Sequence, residues 1–389
     1  MLVTLPQRGR DLRLDLFRGI ANWAIFLDHI PNNVVNWLTT RNYGFSDAAD
    51  LFVFISGYTA AFVYARIMIE RGTLAASTRI IKRAWQIYVA HVFLFVIYIA
   101  EIGYLSQKYH DPQLKDEFNV AEFMRDPFDT LYQGLILRFK PVNMDVLPLY
   151  IVLMLAFPPV LWALLRRPHV TLLASAALYV AARHFGWNLS SYPAGVWYFN
   201  PFAWQLLFVF GAWFAVGGAL ESMPLIRSPW LLVLGTLYLL FALLMTMAGR
   251  FPELGSLLPA WLDHPFIPND KTNLAPYRMV HFVIIAFFVV RYLPREWPGL
   301  KRRVFRPVIV CGQQSLEVFC FGIFLSFGAH FVLVEVSGAV WMQIAVSVIG
   351  IALMTGLAAY RSWSKRVDKL WAMAAAPSEQ TAVAQARQS

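Results

Sequence analysis

The first apolar segment of the chain carries side chains that can do acid–base chemistry. Arg18, Asn22, Asp28 and His29 lie within it, and ionisable groups in a membrane span mark a functional site or an internal pair by default. Arg18 and His29 are eleven residues apart, so a helix brings them to nearly the same face with a rise of about 16 Å. An imidazole placed there can act as a general base. An interfacial arginine anchor and a structural histidine explain the spacing equally well.

The second apolar segment opens with two carboxylates. Asp47 follows Ser46 and is typical of a helix cap, while Asp50 lies one turn deeper and is expected to meet His29. A carboxylate beside an imidazole orients the ring and stabilises its protonated form. Further along, Ser56 and Gly57 permit close approach of a ligand or of another helix, and helix packing alone is a sufficient reason for them.

A basic cluster precedes the third apolar segment. Arg79, Lys82 and Arg83 share one side of a helix start, which suits phosphate groups by charge and donor geometry. Loops on the cytoplasmic side are basic in any case, so charge alone does not decide between these explanations. Glu317 lies near the same end of a later segment and can simply reach the interface.

Amide, carboxylate, cationic and aromatic side chains are concentrated at the opposite ends of the apolar segments. They suit a polyhydroxylated ligand, although tryptophan and tyrosine at a membrane boundary also form the usual interfacial belt. The residues that we assign to acceptor binding are Asp28, Asn143, Asp145, Trp197, Asn200, Gln205, Lys271, Asn273 and Arg278.

These residues must be positioned by membrane helices. The chain is 58% hydrophobic and only 14% charged, against roughly 25% charged in soluble proteins. A bilayer core needs about 20 mostly apolar residues per helix, and ten segments qualify. The predicted spans are 15–37, 47–70, 84–105, 146–165, 170–186, 200–220, 229–248, 276–294, 313–334 and 338–361.

The distribution of charge predicts how these spans are oriented. Most of the 33 Lys and Arg residues fall on the side of the N-terminus, which the positive-inside rule assigns to the cytoplasm. The prediction is an all-α polytopic membrane bundle with about ten transmembrane helices and both termini cytoplasmic. Residues 1–373 form a single transmembrane domain, 374–389 form a disordered cytoplasmic tail, and the amphipathic segment 115–140 lies at the interface.

Several classes of protein and site are excluded. The net charge of +10 follows from topology, so no nucleic-acid partner is needed to explain it. Two cysteines are too few for a disulfide framework. The sequence contains no Walker loop, no GxGxxG motif after a strand and no His-Glu-x-x-His pattern, and we expect neither a metal nor a covalently bound cofactor.

Taken in order, several blocks of the sequence resemble the type 3 acyltransferases, ten-helix bacterial membrane enzymes that acylate extracytoplasmic sugars. The OpgC branch is the most similar, over about residues 11–362. One departure is that Ser315-Leu-Glu-Val-Phe is followed by no histidine at the place where many type 3 acyltransferases carry one. The blocks are Arg18-x10-His29, Asp50-Leu-Phe-Val-Phe-Ile-Ser56-Gly57-Tyr58, Arg79-Ile-Ile-Lys82-Arg83, Asp145-Val-Leu-Pro-Leu-Tyr, Asn200-Pro-Phe-Ala-Trp-Gln, Asp270-Lys-Thr-Asn and Gly312-Gln-Gln-Ser-Leu-Glu-Val-Phe.

The resemblance implies an enzyme of the bacterial inner membrane that succinylates osmoregulated periplasmic glucans, with succinyl-CoA as the donor. His29, Asp50 and Arg18 would then be catalytic. Acetyl in place of succinyl, another glycan acceptor, and direct transfer or an acyl-histidine intermediate all stay open. The residues expected to bind acyl-CoA are Arg18, Asn22, Ser56, Arg79, Lys82, Arg83 and Glu317.

Two other classes of function remain. A transporter also has ionisable residues near the middle of the membrane, but it more often shows two related halves. A non-catalytic partner in glycan export or modification would use the outer surface and not His29. The expected partners are the lipid bilayer, acyl-CoA and a periplasmic glycan, and the sequence allows a homo-oligomer.

Overall fold

The chain folds into helices. A computed structural model describes Gly9 and residues 11–109 and 113–375, and over these residues it contains no strand. This confirms the predicted all-α class. In order, the helices are α1 (Leu12–Asp28), α2 (Ala48–Lys108), α3 (Gln113–Glu117), α4 (Ala121–Arg125), α5 (Pro127–Leu135), α6 (Val146–Arg166), α7 (Pro168–Phe185), α8 (Pro201–Trp213), α9 (Ala219–Glu221), α10 (Met223–Arg227), α11 (Pro229–Arg250), α12 (Pro252–Gly255), α13 (Ala260–Asp263), α14 (Pro276–Tyr292), α15 (Arg306–Gln313), α16 (Ser315–Glu335) and α17 (Val340–Ala375).

Shorter helical turns connect some of these elements. A π-helical turn, Phe214–Gly218, joins α8 to α9. The 3-10 helices are Val34–Leu38, Thr40–Asn42, Pro298–Lys301 and Arg303–Phe305.

Each of the ten predicted spans contains a helix, and the first extends beyond the end of its helix, α1. Six helices of the described chain are long and apolar enough to cross a membrane, which supports a membrane protein. They are α2, α6, the continuous segment Pro201–Glu221, α11, α16 and the part of α17 up to Trp371. The number of crossings and the cytoplasmic position of the termini stay predictions.

Two predicted spans form the two arms of α2, on either side of a kink. Residues 47–70 and 84–105 both fall within α2, which is interrupted at Gly72 with φ 86° and ψ 167°. An L-residue rarely adopts such a positive φ, so glycine is the natural residue at this break. The break separates α2 into two arms, one for each predicted span.

The first span is shorter than the sequence predicted. α1 ends at Asp28, with His29 as its C-cap, instead of continuing to residue 37. Pro31 cannot continue the hydrogen-bond ladder, and Asn32 has a φ of 55°, so the chain leaves the helix there. His29 therefore lies at the end of a helix and not inside one.

The segment 115–140 differs from the long helices as expected. It contains the end of α3 together with α4 and α5, which are five, five and nine residues long. Of the predicted tail, 374 and 375 end α17, and residues 376–389 lie outside the described residues.

Glycines allow the central helices to cross closely. A β-carbon at Gly57 of α2 would collide with the carbonyl group of Phe208 in α8, and one at Gly211 would collide with that of Phe54. α1 and α15 cross in the same way, at Gly19 and Gly312. Small residues at helix contacts let backbones approach in membrane bundles, so these crossings fix α1, α2, α8 and α15 relative to one another.

Candidate active site

A large polar cavity lies at one end of the bundle. Its volume is about 930 Å³, within the usual range for ligand sites. The side chains that line it come from the end of α1 and the segment up to Ala49, from 119–146, from 191–199 and from 245–278. The predicted topology assigns these segments to the periplasmic side of the membrane.

His29 lines this cavity at the end of α1. As the C-cap residue it donates its backbone N–H to the carbonyl group of Ile25 at 3.1 Å. Its Nδ1 atom is buried and has no hydrogen-bond partner among the described residues. Next to it, the Asp28 carboxylate accepts a hydrogen bond from the Thr39 hydroxyl at 2.7 Å. The imidazole is thus held by the helix end in the cavity wall.

A buried network of four charges forms the neighbouring wall. Arg278 donates from Nε and Nη2 to the two carboxylate oxygens of Asp50, at 3.1 and 2.5 Å. It also lies 2.9 Å from Asp47, which Lys271 contacts at 2.6 Å. The side chains of Asp50 and Arg278 are 0% and 3% exposed. Two carboxylates and two cations therefore neutralise one another inside the protein.

This network changes the expected part of Asp50. Both of its carboxylate oxygens bind Arg278, and Oδ2 also accepts the Asp47 backbone N–H at 2.9 Å. Within the described chain no hydrogen bond joins Asp50 to His29, so the orienting contact expected from the sequence is absent. The sequence could not reveal this, because the partner is an arginine 228 positions away. The cap predicted for Asp47 is present, since it accepts from the Ala49 N–H at 2.8 Å.

The acceptor residues predicted from the sequence divide into two groups. Asp28, Asn143, Asp145, Lys271 and Arg278 line the cavity. Burial raises the pKa of Asp145 to about 6, although Lys140 and Lys271 lower it. The remaining four make contacts that join α7, α8 and the loop before α14, and we call them the framework residues: Trp197, Asn200, Gln205 and Asn273.

The framework residues connect α7 and α8 to the loop before α14. Asn200 caps α8 and donates to the Asn273 side chain at 3.0 Å and to the Trp187 carbonyl at 2.7 Å. Gln205 binds Ser175 of α7, accepting from its hydroxyl at 2.6 Å. Trp197 is buried under Lys140, whose Nζ lies 4.2 Å from the ring centroid. These residues are outside the cavity lining, so they are less well placed to contact a sugar than the residues that line it.

Four further cations, which had not been predicted as site residues, also line the cavity: Arg41, Arg138, Lys140 and Arg250. Lys140 is only 8% exposed, and burial lowers its pKa to about 8. The one available signal was the number of basic residues in loops on the side where the positive-inside rule predicts few.

Three of the residues expected to bind acyl-CoA lie along the seam between α1, α2 and α16, namely Arg18, Asn22 and Ser56. Arg18 Nη2 lies 3.5 Å from the carbonyl oxygen of Ile55, the residue before Ser56. Asn22 donates to the Ser315 carbonyl oxygen at 3.3 Å. Glu317 is held by cations of α17, Arg361 at 3.4 Å and Lys365 at 3.5 Å. This pairing explains Glu317 without a ligand.

The basic cluster predicted for phosphates lies on the second arm of α2, soon after the break at Gly72. Arg79 and Lys82 are exposed and Arg83 is half-buried. Among these three, the hydrogen bond that the structure records is from Arg83 to Gln86, at 3.3 Å. The cluster therefore presents its charge at the surface.

Aromatic rings separate the cavity from the seam. The Phe52 ring lies 5.7 Å from that of Phe319 and 6.4 Å from that of Tyr150, measured between centroids. A narrow slot continues from the cavity, and Val146 belongs to the linings of both. The slot is lined mostly by apolar and aromatic side chains, among them Phe52 and Tyr150, and also by Ser56. The slot has no room for a water molecule. The two regions are therefore closed off from one another in this structure.

Comparison with known protein families identifies a match over most of the chain. The profile of the family described as OpgC protein matches residues 10–366. No curated protein and no solved structure matches the chain.

Proposed function

The chain belongs to the OpgC protein family, and from this premise we propose that it is a membrane O-acyltransferase. In this proposal it moves an acyl group, succinyl, from cytoplasmic acyl-CoA to a hydroxyl group of a periplasmic glucan. The observation that carries the proposal is the position of His29 in the wall of a cavity of about 930 Å³ lined with charged and amide side chains. A sugar polymer offers many hydroxyl groups to such a surface.

The proposed chemistry needs one proton acceptor at the cavity. A glucan hydroxyl oxygen attacks the thioester carbonyl carbon while a ring nitrogen of His29 takes the hydroxyl proton. The carbon–oxygen bond forms, the carbon–sulfur bond breaks, and the imidazole returns the proton to the departing thiolate of CoA. Lys271 is 24% exposed and donates one of its three N–H bonds to Asp47, so another N–H can stabilise the oxyanion that develops on the carbonyl oxygen. An acyl-histidine intermediate has the same overall balance and also requires His29.

Asp50 acts in this scheme as a positioning residue. Through Arg278 it fixes Asp47, which in turn holds Lys271 at the cavity. This indirect role replaces the direct orientation of His29 expected from the sequence.

The donor would enter from the opposite end of the bundle. In the proposal, Arg79, Lys82 and Arg83 bind the phosphates of CoA, and its pantetheine arm follows the seam at Arg18, Asn22 and Ser56. Because the slot beyond Ser56 has no room for a water molecule, the arm can pass only after Phe52 or Tyr150 has moved. Donor binding and movement of these rings are therefore coupled in the proposal.

The test is transfer of radiolabelled succinyl from succinyl-CoA to a β-glucan by the purified full-length protein. We expect His29→Gln to lower the rate by about 10²–10⁴-fold, the usual contribution of general-base catalysis, while CoA binding is retained. His169→Gln is the matched control, because His169 is half exposed and pairs with Glu221, away from the cavity. Its activity should equal that of the wild type.

Two results would overturn the proposal. Undiminished transfer by His29→Gln would remove the imidazole from the chemistry. If the wild type neither binds acyl-CoA nor transfers an acyl group, the enzyme class is wrong, and glycan uptake into vesicles would then test the transporter alternative.

A further inference from the structure

The cations that line the cavity are not equivalent. Lys271 and Arg278 are neutralised by Asp47 and Asp50. For the other four cations, no carboxylate lies within ion-pair distance in the part of the chain that the structure describes. An arginine without a carboxylate partner in a polar cavity keeps its full capacity to bind an anion. Those four cations are Arg41, Arg138, Lys140 and Arg250.

Among these, Arg41 is tied directly to the segment that carries the imidazole. Its Nη1 atom donates to the backbone carbonyl oxygen of Asp28 at 3.3 Å, one residue before His29. The Asp28 carboxylate accepts the Thr39 hydroxyl at 2.7 Å and does not pair with the guanidinium. Arg41 is thus anchored beside His29 by a neutral group, and its other donors are available.

Arg250 brings a second guanidinium to the same side of the cavity. It lies at the end of α11, with its guanidinium carbon 5.0 Å from the centroid of the Trp37 ring. Trp37 belongs to the 3-10 helix Val34–Leu38 and lies four residues before Arg41, so the two arginines come from neighbouring elements of the same cavity wall. Two neighbouring cations repel each other. The nearby Asp28 carboxylate, which forms no ion pair with either arginine among the described residues, offsets only one of the two positive charges, so a second anion bound between them relieves the remaining repulsion.

We propose that Arg41, with Arg250, forms a carboxylate-binding subsite that selects a dicarboxylic acyl donor. The inference rests on the acyltransferase function proposed above and names the residues that would distinguish succinyl from acetyl. In an extended succinyl group the free carboxylate carbon lies three bonds, roughly 4 Å, from the thioester carbonyl carbon. His29 and Arg41 line the same cavity, and Arg41 is held at the Asp28 carbonyl group, so in the proposal a thioester at His29 directs this carboxylate towards Arg41.

The donor arm of the test compares kcat/KM for succinyl-CoA and acetyl-CoA, with a neutral β-glucan as acceptor. Arg41→Gln should lower the succinyl-to-acetyl ratio by about 10–100-fold, the range expected for hydrogen bonds to a charged group. The loss should lie mainly in KM for succinyl-CoA, with acetyl transfer changed by less than about twofold. Arg41→Lys should retain part of the preference, because it keeps the charge and loses the fork. Arg250→Gln, on another helix, tests the second guanidinium.

Arg138→Gln is the matched control, since it removes one positive charge from the lining of the same cavity. Its ratio should stay at the wild-type value. An equal fall in Arg138→Gln would mean that the whole field of the cavity, and not a subsite, attracts succinyl, and would overturn the proposal. So would an unchanged ratio in both Arg41→Gln and Arg250→Gln.

A carboxylate on the acceptor has the same chemistry and needs its own arm. With acetyl-CoA as donor, neutral and carboxymethylated β-glucan are compared. If Arg41→Gln impairs only the carboxymethylated acceptor and leaves the donor ratio intact, the subsite serves the acceptor and the donor assignment is wrong. Wild-type protein that transfers neither acyl group would overturn the proposed function itself, a result separate from a wild type that transfers both without preference.

Discussion

Lys140 is a buried cation of the cavity that the fold keeps at an energetic cost. It is 8% exposed, donates to the Leu137 carbonyl oxygen at 3.2 Å and lies over the Trp197 ring. Burial lowers its pKa to about 8 from 10.5, while the charge of Asp145 opposes this shift. A buried charge with no ion-pair partner destabilises a fold, which favours a role in binding over one in stability.

This cost predicts a pH-dependent effect of Lys140→Met. Between pH 8 and 10.5 the unfolded chain binds the lysine proton more tightly than the folded chain does. The free-energy cost of burying the charged Lys140 is therefore largest below pH 8 and disappears as the pH rises towards 10.5. We therefore expect Lys140→Met to unfold at a higher temperature than the wild type at pH 7, with the gain vanishing towards pH 10.5. Thermal unfolding of the purified proteins across this range measures it.

The predicted pH dependence of Lys140→Met has a control and a result that would contradict it. Lys301→Met replaces an exposed lysine and should show no such pH dependence. A Lys140→Met variant less stable than the wild type at pH 7 would show that the buried lysine stabilises the fold, contrary to this prediction.

At the residue scale, the sequence predicted which types of side chain gather but not how they pair. His29, Asp28, Asn143, Asp145, Lys271 and Arg278 were identified and line the cavity. Asp50 was assigned to His29 on the basis of depth in the membrane, whereas it binds Arg278. Asn200 and Gln205 were assigned to a ligand and bind the framework. Polar type and approximate depth are readable from a sequence, but a choice among several polar partners depends on the tertiary fold.

At the element scale, the periodicity and length of apolar runs predicted the helices well, because a span must be long and apolar. They also separated the two arms of α2, which meet at the break at Gly72. They did not predict the early end of α1 at Asp28, which depends on a single residue, Pro31. The early end matters for function, since it places His29 at the cavity.

The crossing of α2 and α8 gives a test at this scale. A β-carbon at Gly57 would meet the backbone carbonyl of Phe208, which cannot move away as a flexible side chain can. Gly57→Ala should therefore destabilise the protein by about 1–3 kcal/mol or more, the usual cost of overpacking. The measurement is the thermal unfolding temperature together with the yield of monodisperse protein.

Gly356→Ala is the matched control for that substitution. Gly356 lies in α17 with no atom within 4 Å of the added carbon, and alanine favours a helix over glycine by up to about 1 kcal/mol. We expect Gly356→Ala to be as stable as the wild type or more so. Equal stability of the two alanine variants would mean that α2 and α8 separate without cost and that their close crossing does not determine the fold.

For the whole molecule, the proposed function depends on which side each end of the bundle faces. The cavity is built from segments that the charge distribution assigns to the periplasm, and the basic cluster on the second arm of α2, Arg79, Lys82 and Arg83, is assigned to the cytoplasm. Donor and acceptor would then enter from opposite sides and meet at His29. This arrangement requires an odd number of spans between residue 73, beside the basic cluster, and residue 194, at the cavity, and the sequence predicts three.

Cysteine labelling of right-side-out membrane vesicles tests that orientation. In a chain carrying Cys311→Ala and Cys320→Ala, Ala194→Cys and Thr73→Cys each add one thiol at an exposed position. A membrane-impermeant maleimide should label the first in intact vesicles and the second only after permeabilisation. The reverse pattern would place the cavity in the cytoplasm, where it could not meet a periplasmic glucan. Labelling of both thiols from one side would give an even number of spans between them, and the donor and acceptor routes would then have to share a face.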